Sequence, residues 1–228
     1  MTVKLFRGKT VFQLMILKYK VREKEVRVWL PEDLPFSEDV RITYGLTFLD
    51  GNYNFKVDIN PARLVDIGAY VGDTIVYFAT KYDLNEVVAI EPNISLYTIL
   101  MYNMYLNQIK NVVIEPKVVG RYKHVKLPFT TTPAIKHHEG ELLRSYEVPT
   151  VVLEPFNTIN VRHDDLIKID CEGCEKGLQV TCNGNGWVAV EVNDENYDYS
   201  RNIQCNSKLL EKSNFYNSYV YLYEVSPR

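Results

Sequence analysis

Between Leu64 and Pro92 the chain passes through an apolar segment, a glycine-punctuated bend, an amphipathic segment and a second apolar segment closed by an acid. The bend reads Leu64-Val65-Asp66-Ile67-Gly68-Ala69-Tyr70-Val71-Gly72-Asp73-Thr74, and the closing segment Glu86-Val87-Val88-Ala89-Ile90-Glu91-Pro92. This order predicts strand, turn, helix and strand. It is the first half of a nucleotide-type crevice at the carboxyl edge of a parallel sheet. Gly68 falls where the strand must stop, and Gly72 where the helix begins. Without a Cβ, glycine accepts positive φ and lets a ligand approach the backbone.

The residues around those glycines separate two cofactor classes. A dinucleotide turn wants G-x-G-x-x-G, with the middle glycine open to a pyrophosphate. Here Tyr70 fills that position, and Asp66 and Asp73 would repel a phosphate in a low-dielectric cleft. A phosphate-free adenosine carrying positive charge, S-adenosylmethionine, fits instead. Glu91 lies nineteen residues beyond Gly72, where an acid accepts ribose hydroxyls. The candidate cofactor-binding residues are Asp66, Gly68, Ala69, Tyr70, Gly72, Asp73, Thr74, Glu91 and Pro92. A strand-glycine-helix turn on its own also occurs in α/β proteins that bind no cofactor. The acids at these offsets favour the cofactor.

Length and composition narrow the setting. The 228 residues suit one domain with an enlarged core, read as a β-rich extension over 1–58 and a cofactor domain over 59–228. Apolar residues at 46% and charged residues at 24% place the chain among soluble globular proteins. A net charge of −3 argues against a broad nucleic-acid footprint and leaves a local basic patch open. No apolar run approaches the ~20 residues that span a bilayer, so no membrane partner is expected. The segment Val11–Leu17 is followed by Lys18-Tyr19-Lys20-Val21-Arg22 rather than a cleavage site, so it reads as a strand and the protein as cytoplasmic. Cys171, Cys174, Cys182 and Cys205 read as small buried residues, with a metal or a disulfide at Cys171-x-x-Cys174 as lesser alternatives. No metal site is expected.

In chain order, Val11–Tyr19 and Glu25–Leu30 predict a hairpin, Pro31–Asp39 a loop and Ile42–Leu49 a strand. Asp73–Tyr82 predicts a helix, and Asn93 caps another that runs to about Asn107. Asn111–Val119 is a third strand broken by Pro116. Residues 120–160 are irregular and locally basic at Arg121, Lys123, His124 and Lys136; His137 and His138 are base candidates set against an idle surface role. Leu166–Asp170 is a fourth strand entering the turn Cys171-Glu172-Gly173-Cys174-Glu175, followed by a helix to about Thr181. Trp187–Val192 is a fifth strand, 200–213 a helix, and Ser218–Val225 an antiparallel edge strand.

With both turns in view, the chain resembles the FkbM-type family of adenosylmethionine-dependent methyltransferases. The matching strings are Val65–Thr74, Ala89-Ile90-Glu91-Pro92 and Ile167-Lys168-Ile169-Asp170-Cys171-Glu172-Gly173-Cys174-Glu175, within about residues 60–225. The first string is generic to methyltransferases, and the last is the specific one. The resemblance implies an α/β class I methyltransferase (Rossmann-like) fold, a doubly wound, mostly parallel sheet, here preceded by the β-rich extension. It also implies O-methylation of a sugar or natural-product hydroxyl, cofactor contacts at Asp66, Gly68 and Glu91, and an active-site role near Asp170. Cys171 and Cys174 stand where the family usually has small apolar residues, and the chain stops soon after Val225, which predicts a shortened final hairpin.

Methyl transfer to an alcohol needs the acceptor oxygen aligned and its proton removed. Asp170 is the first candidate for base or acceptor-orienting residue, and Glu172 the second, with a structural role for Glu172 on backbone amides equally open. Glu191 ends the fifth strand, and the three acids with Asn193 offer oxygen ligands to a hard cation as a lesser reading. The expected partner is a small-molecule or sugar hydroxyl acceptor. The rivals are an RNA methyltransferase and a non-catalytic cofactor-binding partner subunit.

Overall fold

The computed structural model describes residues 3–7, 10–31, 37–119, 125–128, 150–153, 155–215 and 218–228. The basic and histidine candidates Arg121, Lys123, His124, Lys136, His137 and His138 lie outside the described residues.

The chain opens with three antiparallel strands, β1 (Val3–Arg7), β2 (Thr10–Val21) and β3 (Lys24–Leu30), followed by helix α1 (Ser37–Gly45) and a single π-turn, Leu46–Asp50. The predicted strand at 42–49 is therefore helical. Its β-branched and aromatic residues suggest a strand, but Val40, Tyr44, Thr47 and Phe48 recur at helical spacing and are buried. Burial along that stripe outweighs intrinsic propensity. Glu38 and Asp39 also suit the positive end of α1.

Next come β4 (Arg63–Ile67), α2 (Asp73–Lys81), β5 (Glu86–Ile90), α3 (Tyr97–Leu106) and β6 (Val112–Glu115), close to the predicted order. Asn93 caps the single turn that leads into α3, accepting from the amide of Ser95 at 3.0 Å. Short strands follow: β7 (Val118–Val119), β8 (Val125–Pro128), β9 (Thr150–Leu153), β10 (Pro155–Phe156) and β11 (Thr158–Val161). The last group is β12 (Asp165–Ile169), β13 (Gln179–Cys182), β14 (Gly186–Val192), β15 (Asn206–Phe215) and β16 (Ser218–Ser226).

Seven strands form the central sheet in the order β15-β16-β14-β12-β4-β5-β6. β6, β5, β4, β12 and β14 are parallel; β16 runs antiparallel to β14, and β15 antiparallel to β16. The chain leaves β4 for β5 on one side and returns to β12 on the other. The crevice at this switch point, beyond the carboxyl ends of the strands, is where open α/β sheets bind ligands. Two helical predictions give way to strands. Residues 179–182 pair with β11, after one 3₁₀ turn at Cys174–Lys176, and residues 206–215 pair with β16. In both places a sheet edge was waiting for backbone partners, and an unpaired edge is unfavourable. The final hairpin pairs Asn206–Phe215 with Ser218–Ser226, and β15 rather than β16 is the edge.

Side chains alternate between the two faces of the sheet. On one face Leu64, Val87, Ala89, Leu166, Ala189 and Leu222 share a core with α2, α3, α1 and β3. On the other, Val65, Ile67, Val88, Ile167, Val188 and Val190 pack with Val161, Leu178, Val180 and Tyr199. The first face is covered by helices. Among the described residues no α-helix covers the second, which is instead layered by β11, β13 and short turns. No helix among the described residues is long and apolar enough to cross a membrane.

Candidate active site

Ile67 ends β4, and Gly68 turns the chain with φ +81°. A Cβ at Gly68 would sit 1.8 Å from the carbonyl oxygen of Asp170, so the turn after β4 and the turn after β12 are in backbone contact. Gly72 has φ +79°, with Met104 and Leu100 of α3 packed against it. Tyr70 also takes positive φ, at 49°, and its ring packs against the helix-side core.

Four amides of this turn are spoken for. Those of Gly68 and Ala69 donate to the Ile90 carbonyl at 2.9 and 3.1 Å, that of Gly72 to the Ala69 carbonyl at 2.7 Å, and that of Tyr70 to Glu91 Oε2 at 2.9 Å. A phosphate-binding turn instead aims such amides at its anion. Glu91 also accepts from the Asn93 amide at 2.7 Å, and burial pushes its carboxyl up to about 7. Pro92 follows it, half-buried.

Beneath the turn lies a buried ion pair that the sequence reading passed over. Lys168 stands directly beside Asp66 in the sheet, and its ammonium lies 3.0 Å from Asp66 Oδ1, 2.8 Å from the Gly68 carbonyl and 3.6 Å from Asp170. Burial alone would lower the Lys168 pKa, but Asp66, Asp170 and Asp73 hold it above its usual value. Neighbouring strands present Ala89 beside Asp66 and Ala189 beside Lys168, which leaves room for the pair. Thr74 donates its hydroxyl to Asp66. Asp73 is also buried, receives the Thr47 hydroxyl at 2.5 Å, and is pushed up to about 6 by burial. A lysine flanked by Leu166, Ile167 and Ile169 in a strand buried along its whole length was the available signal.

At the mouth, Asp170 remains partly exposed, whereas Glu172 is exposed with φ 56°. Across from Asp170, Glu191 of β14 receives the Tyr53 hydroxyl at 3.0 Å. Burial first, and the Asp170 charge second, push Glu191 up to about 7; Lys168, Ser218 and Tyr53 act the other way. Thr47 and Tyr53 thus reach the site from the N-terminal segment, at separations of 26 and 138 residues that spacing rules cannot see. Asn103 ties that segment to the turn, donating to the Val71 carbonyl and Tyr44 and accepting from the Trp29 amide.

The cysteines depart from expectation. Cys171 is disulfide-bonded to Cys174, and Cys182 to Cys205. The 3₁₀ turn folds the first pair together, and the β13 extension brings the second within a Cα separation of 5.8 Å.

The domain described as "Methyltransferase FkbM domain" matches residues 66–180, just over half of the chain. The chain belongs to the FkbM methyltransferase family. The matched span runs from Asp66 through the Cys171–Glu175 turn. No curated protein matches the chain in sequence. Among solved structures, yhhF from Escherichia coli, a protein named for a methyltransferase role, superposes with a TM-score of 0.51 at 12% identity, covering 94% of this chain and 100% of that one. That likeness supports a methyltransferase-type fold. TYW2 from M. jannaschii, solved in complex with AdoMet, gives 0.43 at 14% identity over 99% of this chain and 90% of that one. A tRNA m1G37 methyltransferase from M. jannaschii gives 0.45 at 12% identity over 93% and 57%.

Proposed function

We propose that this FkbM-family protein is an S-adenosylmethionine-dependent O-methyltransferase acting on a hydroxyl of a sugar or other small molecule. The observation that carries the cofactor choice is the turn after β4: four of its amides are consumed internally, and acids surround it. Such a turn has little to offer a pyrophosphate and suits a phosphate-free cationic adenosine. When bound, adenosylmethionine supplies an electrophilic methyl on a sulfonium. Gly68 lets the turns after β4 and β12 touch, Gly72 lets α3 pack against the turn, and Glu91 offers its remaining lone pairs to ribose hydroxyls. Lys168 holds the Gly68 carbonyl and Asp66 in place from below.

The hydroxyl acceptor is read from the strand ends. Asp170 and Glu191 leave adjacent parallel strands, and their surroundings differ. Asp170 stays near the Lys168 ammonium, which suits an anion that orients the acceptor. Glu191 sits near neutrality, where a general base works best. Glu191 takes the proton and Asp170 aligns the oxygen; the exposed Glu172 shapes the turn. An RNA acceptor is the second reading, and the acids at the mouth oppose a phosphate backbone. The cytoplasmic expectation also meets a counterweight, since disulfides favour an oxidising compartment or the interior of a hyperthermophile.

S-adenosylhomocysteine should raise the melting temperature and NAD should not; the reverse result would overturn the cofactor reading. On the hydroxyl acceptor found from a panel, Glu191→Gln should cut turnover by roughly 10²–10⁴-fold. Its S-adenosylhomocysteine affinity should stay within about twofold, and the rise of rate near neutral pH should vanish. An intact pH profile would return the base role to Asp170.

A further inference from the structure

The turn after β12 holds a second group of donors that methyl transfer does not use. Cys171 Sγ, Cys174 Sγ and a carboxylate oxygen of Glu175 all lie within 4.8 Å of one another. Cys174 and Glu175 are buried and Cys171 is half-buried, so the group is reachable from one side. Glu172 at φ 56° and Gly173 at φ 108° fold the chain back between the two cysteines. The Gly173 amide donates to Glu175 Oε2 at 2.9 Å, which fixes that carboxylate 3.9 Å from Cys171 Sγ.

The electrostatics point the same way. Asp170 and Glu172 stand within the same short turn as the buried Glu175. The ammonium of the adjacent Lys176 lies 5.4 Å from the centre of the Tyr197 ring. A buried carboxylate among acids is stabilised by a cation that binds it directly.

We propose that the reduced Cys171–Cys174 pair, together with Glu175, is a binding site for a thiophilic divalent cation of the zinc type. Two thiolates and one carboxylate are zinc ligands, with one position left to solvent at the half-buried side. Bonds of about 2.0–2.3 Å in a tetrahedron put donors roughly 3.3–3.8 Å apart; Cys171 Sγ and Glu175 Oε2, 3.9 Å apart, already stand near that spacing, and the two sulfurs, bonded to each other here, reach it once the disulfide is reduced. The structure holds the oxidised alternative. A dithiol reductant converts the Cys171–Cys174 disulfide into two thiols and leaves as its own disulfide. The cation then displaces one proton from each thiol. The site does not depend on the identity of the methyl acceptor.

The test uses the full-length protein, reduced with a dithiol, freed of reductant under anaerobic conditions and titrated with cadmium chloride. One cadmium per chain should bind, read from the thiolate-to-cadmium charge-transfer band. Cys171→Ser should abolish the band, Glu175→Gln should weaken binding tenfold or more, and the double variant Cys182→Ser/Cys205→Ser should retain it. In unaltered protein, cadmium should shield Cys171 and Cys174 from alkylation, read by peptide mass mapping, so the result does not depend on a variant folding. Absence of the band in reduced protein, its survival in Cys171→Ser, or alkylation of Cys171 unchanged by cadmium would overturn the site. Unchanged affinity in Glu175→Gln would remove the carboxylate and with it the three-donor arrangement.

Discussion

The turn after β4 buries its acid beside a cation, while the turn after β12, in backbone contact with it, sets Glu175 against Asp170 and Glu172. In the first, Lys168 and the Thr74 hydroxyl answer Asp66, and the amides close on neighbouring acceptors. Apart from the buried Tyr70 hydroxyl, which has no hydrogen-bond partner, these polar groups are settled before any ligand arrives, as a preorganised cradle requires. In the second, acids and sulfurs crowd a turn whose exposed residues face solvent. The difference teaches where to expect rigidity and where to expect a response to protons, cations or redox state.

The sharpest way to break this contrast is Lys168→Met. It leaves Asp66 buried without its partner, a change expected to cost about 3–5 kcal/mol. Urea unfolding should show that loss, and a loss under about 1 kcal/mol would mean that Asp66 is neutral and the cradle is not ionic. Next in size is Gly68→Ala. The added methyl meets the Asp170 carbonyl at a positive φ, with an expected cost of about 1–3 kcal/mol. It should also weaken S-adenosylhomocysteine binding in calorimetry; full affinity would show that the two turns separate easily. The gentlest effect is a slope. Glu91 and Glu191 titrate near 7 and Asp73 near 6 in the folded protein, all above their ordinary values. The folded state therefore holds extra protons in between, so stability should be greatest below about pH 4.5 for these groups and fall as pH rises through 6 to 7. Glu91→Gln should flatten part of that fall in melts taken across pH, and an unchanged curve would assign it elsewhere.

The first turn was readable because its signals are local. Gly68, Gly72 and Glu91 lie within two dozen residues, and α2, β5 and the Asn93 cap follow from adjacent letters. What stayed hidden depends on distance. Lys168 meets Asp66 only because β12 returns beside β4, and Tyr53 finds Glu191 only through the closed core. The strands at 179–182 and 206–215 look helical in sequence because their partners, β11 and β16, are supplied by topology. Residues 42–49 erred in the opposite sense, since a β-rich composition lies along a helical stripe that β2 and β3 cover.

The bond between Cys182 and Cys205 makes a loop of everything between them, and that loop contains all of β14. Glu191 thus rides on a lasso. A protease cutting the exposed stretch 193–196 would open the loop without freeing the terminal hairpin, and the two pieces would part only when a reductant was added.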